Sequence, residues 1–150
     1  MAALVALKGT DVPLPAGAYL VSPWVDLSLS GASLETKAAD DPSLTPDGLR
    51  RRQRDYIGNA DPQEGSVSPI FAELAGLPPL LIQVGGNEIL LDDATRLAAR
   101  AATDGVRVTL EVTPDVPHVF VAFAGLMEEA DAALNSGARF IRATLNHRSD

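Results

Sequence analysis

An acidic residue and a histidine follow two apolar runs that are neighbours along this 150-residue chain. Glu88 follows the run LLIQV at residues 80–84, and His118 follows the run VRVTLEVT at residues 106–113. A carboxylate that accepts a hydrogen bond from the Nδ1–H of an imidazole fixes the tautomer of the ring and stabilises the imidazolium during proton transfer. The two residues could therefore form an acid–histidine pair. Without a nucleophile, such a pair orients a proton but forms no covalent intermediate.

Each of these residues, taken singly, also has an ordinary structural interpretation. His118 could be a loop or core histidine, and Glu88 could be a surface carboxylate. Asp92 and Asp93 stand where helix caps stand, since the positive end of the helix macrodipole favours negative charge there. The arrangement favours a functional origin, because the acid follows one strand and the histidine follows the next. On spacing alone, both interpretations stay open.

Helical and strand patterns alternate along the chain, which predicts an α/β fold with parallel strands. Thr45 and Pro46 mark the start of one helix as N-cap and first helical residue. Asp92 or Asp93 is the expected N-cap of a later helix, and Gly125 is a point of interruption in the last one. We predict helices over residues 1–8, 46–57, 94–103 and 119–145, strands over residues 16–22, 80–84 and 106–113, a loop with little regular structure over 24–42, and a polar tail over 147–150. In an open parallel sheet, ligands bind outside the carboxyl ends of the strands, where the loops carrying Glu88 and His118 would meet.

Composition excludes several classes of function. The net charge is −8, from 12 basic and 20 acidic residues, which argues against nucleic acid as a partner. The chain has no cysteine, so disulfides and thiolate metal sites are ruled out and a cytoplasmic location is expected. No apolar run approaches the roughly 20 residues that span a bilayer, and no basic segment precedes the apolar start as in a signal peptide.

Several stretches together resemble the hormone-sensitive-lipase branch of the α/β hydrolases, the fold-3 carboxylesterases. They lie at residues 20–27 (LVSPWVDL), 68–79 (SPIFAELAGLPP), 81–93 (LIQVGGNEILLDD) and 115–120 (DVPHVF). The resemblance implies that Glu88 is the catalytic acid and His118 the catalytic histidine. Relatives often carry Asp at the place of Asn87, so Asn87 is the alternative holder of the acid position. Trp24 and Asp26 resemble structural loop residues of the family.

The resemblance also implies two catalytic segments that residues 1–150 do not contain. The family needs an H-G-G loop for the oxyanion hole and a G-D-S-A-G elbow that holds the nucleophilic serine. Both would precede the residue that matches Met1. We therefore expect residues 1–150 to form one truncated domain, the C-terminal half of the fold with about three parallel strands. Six serines of the chain are expected to lack the strained strand–turn–helix context of a nucleophile: Ser22, Ser28, Ser30, Ser33, Ser66 and Ser68.

Three hypotheses follow. The first is the C-terminal portion of a serine carboxylic-ester hydrolase that needs no cofactor or metal, acts on a small ester when complete, and is inactive alone. The second is a non-catalytic binding or interaction module derived from an esterase. The third is a mis-called start, with the full enzyme beginning upstream. In the isolated chain, without an upstream neighbour, the strand at residues 16–22 would present a free apolar edge, and such edges recruit other chains. We therefore expect marginal stability, a missing partner, or a homo-oligomer formed through that edge.

Overall fold

Three parallel strands form the centre of the computed structural model, which describes residues 1–146. They are β1 (Ala18–Val21), β2 (Leu80–Gly85) and β3 (Val108–Thr113), and they lie in the order β1-β2-β3. The predicted α/β fold class, a partial sheet of three parallel strands with flanking helices, is confirmed. The polar tail predicted for residues 147–150 lies outside the described residues.

Strand β2 is the central strand, and all six of its residues are buried. It pairs with β1 from Ala18–Leu80 onward and with β3 from Leu80–Val108 onward, both in parallel. A parallel strand that is covered on both faces must be apolar on both sides of the pleat, and the run LLIQV fulfils this except at Gln83. The sheet therefore buries its middle strand and leaves β1 and β3 at its edges.

The helices within residues 1–146 are α1 (Ala2–Leu7), α2 (Ser33–Thr36), α3 (Pro46–Ile57), α4 (Leu91–Thr103) and α5 (Glu128–Asn146), with 3₁₀ turns at Pro69–Phe71 and Phe120–Phe123. Helices α1 and α4 lie on one face of the sheet and α5 on the other, whereas α2 and α3 pack with the loop after β2. On one face, apolar residues of α1 and α4 pack against alternate residues of β2 in the largest hydrophobic cluster. On the other face, the amide of Gln83 donates to the carbonyl of Ala133 in α5 at 2.8 Å. This arrangement makes three layers, with the sheet in the middle.

The start of α3 has the predicted form. Thr45 is the N-cap, and its Oγ1 accepts a hydrogen bond from the backbone N–H of Gly48 at 3.1 Å. Pro46 is the first helical residue, and the helix ends at Gly58, whose φ is 55°.

Two local predictions were wrong. Helix α4 begins at Leu91, so Asp92 and Asp93 lie inside its first turn and neither is its N-cap. The last helix does not begin at residue 119, because a 3₁₀ turn stands there and α5 begins only at Glu128. Gly125, the predicted point of interruption, has a φ of 82° and separates the two. The loop over 24–42 has little regular structure, as predicted, apart from the short helix α2.

Within residues 1–146, no helix combines the length and the apolar character needed to cross a membrane.

Candidate active site

The loops that follow the three strands meet at one end of the sheet, as the parallel topology predicts. Ser22 follows β1, Glu88 follows β2 and His118 follows β3. The loops approach so closely that a Cβ built on Gly85 would lie 2.4 Å from the carbonyl oxygen of Val116. Only a residue without a side chain fits there, so the glycine at the end of β2 lets the histidine loop lie against the acid loop.

Glu88 and His118 are in direct contact. Oε2 of Glu88 lies 2.7 Å from Nδ1 of His118. The Glu88 side chain is fully buried, whereas the His118 side chain keeps 21% of its surface exposed. An ionised carboxylate can only accept, so the Nδ1–H donates to it and the lone pair of the neutral ring is placed on Nε2. The pair thus has an inner carboxylate and an outer, partly accessible base.

The second oxygen of Glu88 is held by two donors. Oε1 accepts from the hydroxyl of Ser22 at 2.7 Å and from the backbone N–H of Gly85 at 2.7 Å. The Oγ of Ser22 in turn accepts from the backbone N–H of Val119 at 3.0 Å. A buried carboxylate is costly unless its oxygens are hydrogen-bonded, and these contacts meet that need. They also leave Oε2 directed at the histidine.

A second carboxylate, Asp93, supports the loop after β1. Its Oδ2 accepts from the backbone N–H groups of Val25 and Asp26, both at 2.8 Å. Burial raises the pKa of Asp93 to about 6, although these two hydrogen bonds act in the opposite direction. The nearby negative charge of Asp26 also raises it, and the guanidinium of Arg96 lowers it. Asp93 is therefore a structural carboxylate beside the pair.

Asp26 is fully buried and anchors the same loop. It accepts from the hydroxyls of Ser28 and Ser30 and pairs with Arg96 Nη1 at 2.8 Å. Burial raises the pKa of Asp26, but the hydrogen bonds from Ser28, Ser30 and Arg96 outweigh burial and lower it overall. These contacts fit the structural role that the sequence predicted for Asp26.

Glu88 and His118, the predicted site residues, lie in contact. Sequence reasoning did not identify Ser22, whose hydroxyl contacts Glu88. The carboxylate in contact with His118 belongs to Glu88, while the backbone N–H of Asn87 donates to the carbonyl of Val116 at 3.1 Å. Ser22 was not expected to be strained, yet its φ is 45°. No helix begins directly after Ser22, and its hydroxyl is buried against Glu88. The sequence feature that could have identified Ser22 is its place at the end of a strand, on the loop next to the one that carries the acid.

No metal site accompanies the pair among residues 1–146, where no group of three His, Asp or Glu side chains is close enough to hold an ion. A cleft of about 580 Å³ lies elsewhere, between α1, α3 and the loop after β1. Its lining includes Met1, Trp24 and Tyr56 but neither Glu88 nor His118. The acid–histidine pair therefore lies outside this cleft.

Comparison with known proteins identifies the family of this chain. A model of the alpha/beta hydrolase fold family matches residues 1–122. The chain belongs to this family. An acetyl-hydrolase of Streptomyces hygroscopicus is 41% identical over 142 residues, which are 95% of this chain and 48% of that protein. An esterase of Acinetobacter venetianus is 36% identical over 135 residues, which are 89% of this chain and 45% of that protein.

Solved structures of this alpha/beta hydrolase family show the same half-length match. A hormone-sensitive lipase from a metagenome library superposes with a TM-score of 0.92 at 39% identity, covering 95% of this chain and 49% of that one. An esterase from the bacterial hormone-sensitive lipase family gives a TM-score of 0.92 at 44% identity, covering 95% of this chain and 48% of that one. The predicted resemblance to the hormone-sensitive-lipase branch is confirmed, and the chain spans about half the length of these relatives.

Proposed function

We propose that this chain supplies the acid and the histidine of a serine carboxylic-ester hydrolase, Glu88 and His118. The observation that carries the proposal is the 2.7 Å contact between the buried Glu88 carboxylate and Nδ1 of His118. The relatives support it, because those named above are an acetyl-hydrolase, esterases and a lipase. The nucleophilic serine would come from a segment outside these 150 residues.

His118 would move the proton in both halves of the reaction. Its Nε2 takes the proton of the serine hydroxyl as the serine oxygen attacks the ester carbonyl, and gives that proton to the departing alcohol. Water then attacks the acyl carbonyl while Nε2 takes a proton from it. Nε2 gives that proton to the serine oxygen as the acyl–serine bond breaks, which releases the carboxylic acid and restores the serine hydroxyl. Glu88 holds the ring through Nδ1 and balances the imidazolium charge at each stage. This chemistry requires no metal or organic cofactor.

A chimera tests the proposal. The upstream half of the Streptomyces hygroscopicus acetyl-hydrolase would be joined to residues 1–150, and the hydrolysis of p-nitrophenyl acetate measured. We expect turnover by the chimera, no turnover by the isolated chain, and a loss of roughly 10³-fold or more in kcat for His118→Ala in the chimera.

Two outcomes would count against the proposal. An active chimera that keeps its rate after His118→Ala would show that His118 is not the base. Turnover by the isolated chain that a serine-directed inhibitor abolishes would show that the nucleophile lies within these residues.

The free edge of β1 is the surface through which we propose that the chain associates. Within residues 1–146, β1 pairs with β2 alone. The N–H groups of Ala18 and Ser22 donate to the β2 side, at Pro79 and Gln83. Because donors alternate along a strand, the N–H of Val21 faces the open edge. In a complete enzyme a strand of the other half would pair there, and in the isolated chain a second copy is the expected occupant.

The alternative is a non-catalytic binding or interaction module derived from an esterase. The contact of Glu88 with His118 supports the hydrolase, because a carboxylate beside the histidine is what hydrolysis needs. We therefore favour the hydrolase.

A further inference from the structure

We propose that Ser22 is a positioning residue that holds the acid and the histidine loop in register. The proposal rests on the function proposed above and adds a residue to it. Ser22 lies at the end of β1, on a different strand from both members of the pair. It is 66 residues from Glu88 and 97 from Val119 along the chain, so only the fold brings its hydroxyl to them.

The first contact fixes the carboxylate of Glu88. The Ser22 hydroxyl and the backbone N–H of Gly85 both donate to Oε1, each at 2.7 Å. With two donors on one oxygen, rotation of the carboxylate is blocked and the other oxygen stays directed at His118. The Gly85 donor is the last residue of β2, the strand that leads into the acid's own loop, whereas Ser22 directly follows the neighbouring strand β1. The hydroxyl therefore ties the acid to a second strand.

The second contact fixes the loop that carries the histidine. The backbone N–H of Val119, the residue after His118, donates to Ser22 Oγ at 3.0 Å. Val119 has a φ of 54°, a conformation that a β-branched residue rarely adopts and that its surroundings must hold in place. One hydroxyl thus donates to the acid and accepts from the histidine loop. Its removal would loosen both sides of the Glu88–His118 contact.

The backbone at Ser22 points to the same role. Its φ is 45°, and its N–H still donates to the carbonyl of Gln83 at 2.7 Å, which continues the β1–β2 ladder. Only 4% of the residue is exposed. A strained conformation persists where the surrounding contacts over-determine it, and such positions cluster at active sites. Here the strain places the hydroxyl between the two loops.

Ser68 offers a matched control. It is also a fully buried serine whose hydroxyl joins two loops, since it donates to the carbonyl of Pro62 at 2.6 Å and accepts from the N–H of Leu27 at 2.8 Å. None of these groups contacts Glu88 or His118. Replacing Ser68 should therefore lower the free energy of unfolding about as much as replacing Ser22 does, without changing the Glu88–His118 contact.

The test uses the 150-residue chain and proton NMR of the histidine ring. A ring N–H donated to a buried carboxylate is shielded from exchange with water, so a downfield Nδ1–H resonance is expected and is assigned to His118 by its loss in His118→Asn. We expect that resonance to shift upfield or vanish in Ser22→Ala and to be unchanged in Ser68→Ala. Ser22→Gly is the second variant, because glycine adopts a φ of 45° without strain and isolates the loss of the hydroxyl.

Hydrogen exchange at Val119 gives a second readout. Its amide should be protected in the unmodified chain and exchange about tenfold faster in Ser22→Gly, in line with the loss of one hydrogen bond. The unmodified chain alone can overturn the proposal: an unprotected Val119 amide would do so even if both Ser22 variants failed to fold. An unchanged His118 resonance in a folded Ser22 variant would do so too.

The NMR test is independent of turnover, so it separates this inference from the proposed function. An inactive chimera together with a His118 resonance that depends on Ser22 would reject the hydrolase and keep the positioning role. An active chimera whose kcat is unchanged by Ser22→Gly, together with an unchanged resonance, would reject the positioning role and keep the hydrolase.

Discussion

Three carboxylates lie within the eight residues after β2, and each has a different partner. Glu88 contacts the His118 ring, Asp93 accepts from the backbone after β1, and Asp92 accepts from the N–H of Ser33 at 3.0 Å. Local sequence cannot separate them, because all three are acids near the start of one helix. What separates them is the distant segment that each carboxylate meets.

The buried carboxylate of Asp93 makes the stability of the chain depend on pH. The pKa of Asp93 is about 6 in the folded protein and 3.8 in the unfolded chain, so the folded chain binds the proton more tightly. The stability gained from this proton is fully present below pH 3.8 and is lost as the pH rises through about 6. Between pH 7 and pH 5, stability should therefore increase, with an upper limit near 1.4 kcal/mol per pH unit.

Urea denaturation of the chain and of Asp93→Asn at pH 5 and pH 7 measures this effect. Asparagine keeps an oxygen for the N–H groups of Val25 and Asp26 but carries no titrating proton. The difference in unfolding free energy between the two pH values should be larger in the unmodified chain than in the variant. The contribution of Asp26 lies below this window, because its folded pKa is lowered and its stabilisation is lost only as the pH falls through that value. Equal pH dependence in both proteins would contradict the account of Asp93.

At the scale of elements, the end of β2 must lie against the loop after β3. A Cβ on Gly85 would lie 2.4 Å from the Val116 carbonyl oxygen and 2.7 Å from that of Pro117. Because backbone atoms cannot yield as a flexible side chain does, Gly85→Ala should displace the histidine loop and cost about 1–3 kcal/mol or more.

Gly86→Ala is the graded control for this prediction, since its nearest contact would be 3.1 Å, at Cα of Pro114. Thermal unfolding should show a larger loss for Gly85→Ala than for Gly86→Ala. The His118 Nδ1–H resonance should also be lost only in the first variant. A smaller loss for Gly85→Ala would mean that the two loops are free to separate.

Most of the elements could be predicted from sequence, because their signals are local. The strand β2 follows from a continuous apolar run, and α3 follows from Thr45, Pro46 and Gly58. The parallel sheet follows from the alternation of these elements. The Glu88–His118 pair could be predicted because both residues end up at the carboxyl end of that sheet.

The remaining features depend on contacts that no local pattern encodes. Asp92 and Asp93 look like caps, but their carboxylates bind other segments. The helix predicted from residue 119 begins only at Glu128, because a 3₁₀ turn at Phe120–Phe123 takes the place of its first part. Ser22 has no local partner at all, since its hydroxyl binds groups on two other loops.

At the scale of the whole molecule, the open edge of β1 predicts self-association of the isolated chain. Val21→Pro removes an N–H that the alternation of donors turns toward that edge, and should weaken the dimer about tenfold. Val21→Thr keeps the N–H and serves as the control. Analytical ultracentrifugation over a range of concentrations measures the dissociation constant. A compact monomer with sharply cooperative unfolding would contradict the prediction.

The chain spans about half the length of the relatives it matches. Its proposed role in a hydrolase is therefore tested by joining it to the upstream half of such a relative. The TM-score of 0.92 shows that the fold of this chain matches the corresponding part of an esterase from the bacterial hormone-sensitive lipase family.

The most direct measurement compares Glu88→Gln and Asn87→Ala in the chimera with the Streptomyces hygroscopicus upstream half, by kcat for p-nitrophenyl acetate. Glutamine matches the shape of the acid but cannot balance an imidazolium. We therefore expect Glu88→Gln to lower kcat by about 10³–10⁴-fold and Asn87→Ala to have little effect. An active chimera in which Glu88→Gln leaves kcat unchanged, or in which Asn87→Ala causes the larger loss, would contradict the assignment of Glu88 as the catalytic acid.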